Sequence, residues 1–225
     1  MRYNRYFQPI ENHMRKLKIS FVACLFISIF SAVNAQQINL EAGYFNPKQY
    51  KTTAGENYFD AARVGASVIL PWKYNFSLQT GLLYNIGLST KKQLFPHDYS
   101  VNYTTWSHGL EIPLRAQYTL PLGKQWSLFG FAGPNIQIGI IQNTQIDANL
   151  SAILTQMSGI ETGKINMYQD NLHRINFQLG AGGGIQWKKY ILKGGYDWGM
   201  NNLNKLSDAR IYQKNWFASS GYQIK

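Results

Sequence analysis

Residues that could carry out catalysis are sparse in this sequence of 225 residues. His108 follows Ser107, and His173 lies close to Asp170, while His97 stands apart. A serine activated by a histidine, with a third group orienting the ring, is the arrangement of an acyl-transfer or hydrolysis site. A lipid-modifying enzyme is therefore one alternative. A histidine that is simply a polar residue at a membrane interface is the other.

Other kinds of site have little support. No metal-ligand spacing, phosphate loop or nucleotide fingerprint is present, so we expect no catalytic, cofactor-binding or metal-binding residues. The one cysteine, Cys24, excludes an internal disulfide framework and a zinc site built on several thiolates. The net charge of +11 suggests nucleic acid, but the basic residues are scattered rather than gathered in a stripe.

The first 35 residues have the pattern of an export signal. Arg15, Lys16 and Lys18 precede an apolar run over 19–30, and small residues follow over 31–35. We predict a signal peptide over 1–35, with Met14 as an alternative start and an uncleaved anchor as the alternative fate. The mature domain is then 36–225, with a net charge of +7. An exported chain meets no genome, so we expect no nucleic-acid partner.

The rest of the chain alternates apolar and polar residues, the period-2 pattern of strands with two different faces. Ile175, Phe177 and Leu179, for example, alternate with Asn176 and Gln178. We predict eight strands, over 37–46, 60–72, 76–88, 110–120, 126–140, 174–187, 190–200 and 211–224.

The connections between these strands alternate in length. Short joins over 71–74, 121–124 and 187–189 separate long ones over 47–57, 90–104, 141–171 and 201–210. Outer-membrane barrels have short periplasmic turns and longer external loops. The sequence thus predicts an all-β, eight-stranded antiparallel up-and-down transmembrane β-barrel in the outer membrane, with both termini periplasmic. A soluble sandwich or lipocalin-like barrel is the alternative.

In a membrane barrel the apolar face contacts lipid and the polar face lines the lumen. We therefore predict a polar lumen network of seven charged residues: Glu41, Arg63, Glu111, Arg115, Arg174, Lys193 and Asp197. Glu111 and Arg115 lie about 13 Å apart along one strand, so we expect them to pair across strands rather than with each other. The glycines of 180–184 and 194–199 leave room for side chains of neighbouring strands. An eight-stranded lumen is about wide enough for side chains to fill, and a narrow polar path is the alternative.

Aromatic residues fall near the strand ends, as the girdles of a membrane barrel do. Those near the short turns are Trp72, Tyr74, Trp126, Trp187 and Tyr190, and those near the long loops are Tyr44, Trp106 and Trp198.

Two stretches resemble a known family. Residues 110–118 (LEIPLRAQY) and 129–134 (FGFAGP) resemble the PorT-like outer-membrane β-barrel family of Bacteroidetes, and 180–184 with 194–199 resemble its later glycine-rich hairpin. The resemblance covers roughly 37–225. It implies an eight-stranded outer-membrane barrel, and the family's namesake is tied to protein secretion by the type IX route. The chain ends on Lys225, whereas many outer-membrane barrels end on an aromatic residue.

These observations favour a non-enzymatic interaction, assembly or secretion-associated component with a side-chain-filled polar lumen. The alternatives are a narrow pore for small solutes and, second, a lipid-modifying enzyme. We expect no cofactor. Outer-membrane lipid is the expected surrounding partner, and loops 90–104 and 141–171, the latter with an apolar patch over 150–157, are the expected sites for protein partners.

Overall fold

The computed structural model describes residues 37–52, 54–94, 100–149, 162–206 and 209–225. The predicted signal peptide, His97 and the apolar patch 150–157 lie outside the described residues. The elements in chain order are β1 (Gln37–Lys51), β2 (Ala54–Tyr58), β3 (Asp60–Pro71), β4 (Phe76–Leu94), β5 (Ser100–Pro121), β6 (Trp126–Asn149), β7 (Gly163–Asn166), α1 (Met167–Asp170), β8 (Ile175–Trp187), β9 (Tyr190–Gly199) and β10 (Ile211–Gln223).

Eight of these strands form a closed antiparallel ring. Each long strand pairs with the next in chain order, and β10 pairs back onto β1 from Asn39↔Gln223 to Lys51↔Ile211. The short strand β2 pairs with β1, and β7 pairs with β6, beyond the segments of β1 and β6 that pair with β3 and β8. Closure pairs the edge strands, so no long edge is left open in this ring. The predicted eight-stranded up-and-down topology is confirmed.

Short turns join the ring strands at one end, hereafter the turn end. The turns span 72–75, 122–125 and 188–189, as predicted. Tyr74 and Asn75 adopt positive φ angles of 54° and 66°, and Gly123 has a φ of 107°. Residues with positive φ angles let the backbone reverse direction within a few positions, so these turns can be short.

The opposite end, hereafter the loop end, differs from the prediction. Two of the four predicted long loops are mostly strand, because β4 continues to Leu94, β5 begins at Ser100, and β1 with β2 occupies most of 47–57. In a third, 141–171, β6 continues to Asn149 and β7 spans Gly163–Asn166. Both faces of these extensions carry mostly polar residues, such as Thr104 and Thr105 on β5, so the sequence no longer alternates in polarity although the backbone pairing continues. The predicted loop 201–210 is largely irregular over its described residues, 201–206 and 209–210.

The two faces of the ring carry opposite chemistry. Apolar side chains such as Leu82, Phe177 and Leu192 are about half exposed on the outside, while Gln79, Asn135 and Gln178 are buried inside. A water-soluble barrel has the reverse arrangement. Among the described residues no helix is long and apolar enough to cross a membrane.

Candidate functional site

The centre of the lumen holds a chain of buried ion pairs. Arg115 Nη2 lies 2.7 Å from Asp197 Oδ1 and 3.8 Å from Glu111 Oε1, and Arg63 Nη1 lies 3.4 Å from the same Glu111 oxygen. All four side chains are at most 2% exposed. Three strands that are not neighbours in the ring, β3, β5 and β9, bring these groups together across the lumen, so each charge removed from water faces an opposite charge.

Arg115 and Glu111 contact each other, contrary to the sequence expectation. Their Cα atoms lie four residues apart on β5, yet the long side chains lean together along the lumen to 3.8 Å. The shorter contact of Arg115 is still the cross-strand one to Asp197 on β9. Backbone spacing along a strand therefore did not determine which of these groups meet.

A second ion pair lies beside the first group. Lys193 Nζ is 2.7 Å from Glu41 Oε2, and Ser67 Oγ also donates a hydrogen bond to Glu41. Arg63 Nε donates to Ser219 Oγ over 3.0 Å. The six buried charges, three cations and three carboxylates, balance to zero net charge, which suits a site shielded from water.

Arg174, the seventh predicted member, lies outside this buried network. It is exposed just before β8, donates to the carbonyl oxygens of Gly139 and Ile140, and stacks over the Tyr168 ring at 5.0 Å. The alternation gives the face of a residue but not its depth. Arg174 has the inward parity but lies at the mouth of the barrel, where water and backbone carbonyls solvate it.

Phenylalanines fill the lumen around the charges, a feature that the sequence prediction missed. Phe45, Phe129, Phe131 and Phe217 are all buried. The Arg63 guanidinium lies 3.9 Å from the Phe217 ring centre, and that of Arg115 lies 4.9 Å from the Phe131 ring centre. Guanidinium groups stack favourably on aromatic faces. The signal was present in the sequence, because Phe129 and Phe131 break the alternation of their strand.

Glycines make room for these rings, as expected for the glycine-rich hairpin. A Cβ atom on Gly182 would lie 2.5 Å from Phe131 Cζ, and one on Gly184 would lie 2.5 Å from Phe129 Cζ. A Cβ on Gly195 would meet Phe217 in the same way. The hairpin of β8 and β9 thus lacks side chains where the phenyl rings need space.

Amide side chains continue the filling toward the loop end. Asn135 donates to Gln178 over 2.9 Å, and Gln49 and Gln213 are joined over 2.8 Å. A cavity of only about 40 Å³ remains at this level, space for a few waters at most. Leu172 and Leu203, both buried, lie above it.

The α1 helix borders the same small cavity, which Tyr168 helps to line. A Cβ on Gly139 would overlap the Tyr168 hydroxyl group, so this glycine lets the ring approach the β6 backbone. Burial raises the pKa of Tyr168 to about 12, and the nearby Arg174 guanidinium opposes that rise. The ring is therefore neutral at physiological pH.

Each end of the barrel opens into a larger cavity. A cavity of about 520 Å³ at the loop end has an aliphatic wall that includes Ile146 and Ile165, with Lys51 and Lys91 also among its lining residues. A cavity of about 500 Å³ at the turn end is lined mainly by amide, hydroxyl and lysine side chains. Both volumes lie in the range of ligand sites.

Among the described side chains, neither His108 nor His173 is paired with a serine. The Tyr84 hydroxyl is 2.8 Å from His108 Nδ1. Ser107 points to the lumen, since a Cβ on Gly87 would lie 2.6 Å from its hydroxyl oxygen, whereas neighbouring strand residues face opposite ways. His173 is exposed, and the Asp170 side chain lies outside the described residues. No cluster of metal-ligating residues occurs in the described part of the chain.

The predicted girdle residues all lie on the exposed outer surface. Trp126, Trp187 and Tyr190 form a stacked row beside the short turns, with ring centres 5.8 and 5.9 Å apart. Trp72 and Tyr74 lie within a turn itself and are 80% and 87% exposed. Tyr44, Trp106 and Trp198 lie on the outer face nearer the loop end.

Comparison with known families decides the class of this ring. The family model described as "Outer membrane protein beta-barrel domain" matches residues 25–205. The chain belongs to the outer membrane protein beta-barrel domain family. The barrel is therefore an outer-membrane protein, its outer apolar face contacts lipid, and its short turns face the periplasm.

Several solved outer-membrane barrels are similar to it. Neisserial surface protein A is 10% identical, with 83% of this chain and 97% of that chain covered and a TM-score of 0.43. Ail, the attachment invasion locus protein of Yersinia pestis, is 10% identical, with coverages of 84% and 98% and a TM-score of 0.36. The outer membrane enzyme PagL is 14% identical, with coverages of 79% and 97% and a TM-score of 0.34. No curated protein matches the sequence.

Proposed function

We propose that this protein is a closed, non-enzymatic outer-membrane barrel that works as an interaction or assembly component, with its binding surfaces at the two ends. One observation carries the proposal: a neutral network of buried charges and a layer of phenyl rings fill the lumen between the two end cavities. Passage of a solute would require several buried ion pairs to separate, which is costly in a water-poor interior.

The finer assignment to PorT-like, secretion-associated proteins of Bacteroidetes is part of the same proposal. The stretches 110–118 and 129–134 support it. In the barrel these stretches form neighbouring strands that carry Glu111, Arg115, Phe129 and Phe131, which are central members of the filled lumen. The stretches that resemble the family therefore contain residues that fill the lumen.

The proposal that the protein is not an enzyme rests on the placement of its candidate nucleophile. Ser107 and His108 face opposite sides of β5, so His108, although next in sequence, is not placed to take a proton from the serine. The test is the mass of lipid A from cells that express the barrel. We expect no change in mass; a shift that disappears in His108→Asn or His173→Asn variants would contradict the proposal.

The narrow-pore alternative is tested by solute flux. Proteoliposomes that contain the wild-type barrel should swell in isotonic glycine or arabinose no faster than protein-free liposomes. Heat-modifiable migration on gels confirms that the reconstituted barrel is folded. Swelling that scales with the amount of folded wild-type barrel would establish a pore and overturn the closed-barrel proposal.

A further inference from the structure

The cavity at the turn end, hereafter the periplasmic cup, has the composition of a site for anions. Its volume is about 500 Å³, and Lys124 and Lys188 from two different turns contribute to its lining. Ser77 and Gln117, which face each other on β4 and β5, lie among the lining residues as well. The lining of the cup comes from six ring strands, β1, β3, β4, β5, β6 and β8, and from the three short turns.

Two polar atoms of the cup lack partners. Ser77 is 8% exposed and Gln117 is 5% exposed, and neither Ser77 Oγ nor Gln117 Oε1 has a hydrogen-bond partner among the described residues. The amide nitrogen of Gln117 is already used, since it donates to Thr119 Oγ1 over 3.2 Å. Buried polar atoms are normally paired, so these two atoms point to a ligand that offers both an acceptor and a donor.

The charged side chains of the turns at this end are all positive. Lys73, Lys124, Lys188 and Lys189 occupy the turns, and all four are exposed. Every described side-chain carboxylate lies elsewhere: Glu41, Glu111 and Asp197 in the lumen network, and Glu56, Asp60 and Asp147 toward the loop end. An anion that enters the cup therefore meets two ammonium groups and no described side-chain carboxylate.

We propose that the periplasmic cup binds an acidic, extended peptide segment of a periplasmic partner. Its carboxylates would bind Lys124, Lys188 and the Ser77 hydroxyl, and a backbone N–H group would donate to Gln117 Oε1. A peptide supplies both chemistries, whereas a fully ionised phosphate supplies acceptors only. The inference rests on the proposed function as an interaction component and adds the site and the chemistry of the partner.

The test is a titration of the full barrel in nanodiscs of neutral phosphatidylcholine. The probe is a short fluorescein-labelled peptide of alternating Glu and Asp, and its anisotropy reports binding. We expect saturable binding that weakens with salt, and little binding of the matched Gln–Asn peptide. Lys124→Gln with Lys188→Gln should lower the affinity by about tenfold, as expected for the loss of two ionic contacts.

The matched control exchanges two lysines of the same end that do not line the cup. Lys73→Gln with Lys189→Gln removes the same charge and should lower the affinity by only about twofold. Gln117→Leu, which removes the unpaired acceptor without changing the charge, should also weaken binding. Heat-modifiable migration on gels verifies that each variant is folded.

Three results would overturn the inference. The first is absence of binding to the folded wild-type barrel at low salt. The second is an equal loss in the two lysine pairs, which indicates a diffuse field of charge. The third is equal binding of the acidic and neutral peptides. If phosphatidylglycerol in the disc displaces the peptide equally in both lysine pairs, the turn lysines bind lipid headgroups instead. A conducting lumen would overturn the proposed function but leave this titration unchanged.

Discussion

Arg115 connects more of the lumen than any other single side chain that we describe. Its guanidinium binds Asp197 at 2.7 Å, reaches Glu111 at 3.8 Å, and lies near the rings of Phe131 and Phe217. A planar guanidinium can accept stacking on its face while its edge donates hydrogen bonds, which a lysine ammonium cannot do. Arg115 therefore joins the ion pairs and the phenyl rings of the lumen into one packed unit.

Asp197→Asn should destabilise the barrel strongly. The change leaves Arg115 buried without its closest carboxylate, and removal of one partner of a buried pair costs about 3–5 kcal/mol. The measurement is the free energy of unfolding in urea, with the protein in lipid vesicles. Asp147→Asn is the control, since Asp147 is exposed, and it should change the free energy by less than about 0.5 kcal/mol. Equal effects would contradict a special role for the buried pair.

Gly182→Ala should also destabilise the barrel, by about 1–3 kcal/mol, because the added methyl group would overlap the Phe131 ring and the Gly194 carbonyl oxygen. Gly130→Ala on the neighbouring strand is the matched control. There the nearest atom outside the adjacent residues is 3.8 Å away, an ordinary contact. Unfolding in vesicles compares the two variants, and a Gly182→Ala variant as stable as Gly130→Ala would show that the phenyl layer has spare room.

At the scale of elements, the membrane decides what the sequence can predict. Within the bilayer one face of a strand meets lipid and the other meets the lumen, so β8 alternates over most of its length and its bounds were predicted within about one residue. Above the bilayer the contrast disappears, and the upper halves of β5 and β6 were therefore predicted as loops.

Inside the lumen, the sequence predicts which residues face inward but not which of them are in contact. Alternation predicted all six charged residues that meet in the buried network, because parity alone brings them to the inner face, and it added a seventh, Arg174, that lies outside the network. It did not give the depth of Arg174 or the contact between Arg115 and Glu111. Phe129 and Phe131 break the alternation of their strand, and the predicted filling of the lumen was polar, so inward phenyl rings were not predicted.

Hydrogen exchange tests the extended hairpin of β5 and β6. Backbone pairing runs from Ser100↔Asn149 toward the membrane, with an irregularity between His108 and Gly109. Paired amides exchange more slowly than those of loops, so residues 101–107 and 142–148 should be protected in vesicles. The exposed turn residues 123–125 are the internal reference. Exchange at the same rate in both regions would show that the hairpin ends near the membrane surface.

For the whole molecule, closure of β10 onto β1 determines whether the strands enclose a lumen at all. Ala42 and Ser220 are direct partners across this seam and both lie outside the lumen. Residues 37–225 contain no cysteine. Cysteines at 42 and 220 should therefore form a disulfide on oxidation, because directly opposed strand residues lie within disulfide reach.

The seam disulfide is detected as faster migration of the denatured, unreduced chain. Cysteines at 42 and 218 form the matched control, because residue 218 lies on the same face of β10 but two positions from the direct partner of residue 42. This pair should crosslink poorly, since diagonal partners lie farther apart. Equal crosslinking in both variants would contradict the observed register between β1 and β10.

The filled lumen is the central claim, and single-channel recording in planar bilayers tests it most directly. The wild-type barrel should give no discrete conductance steps. A variant with Phe131→Ala and Phe217→Ala, verified as folded by its gel migration, should give steps because it removes two rings from the layer that closes the lumen. Steady conductance steps from the wild-type barrel, altered when Arg115 or Asp197 is replaced, would contradict the account.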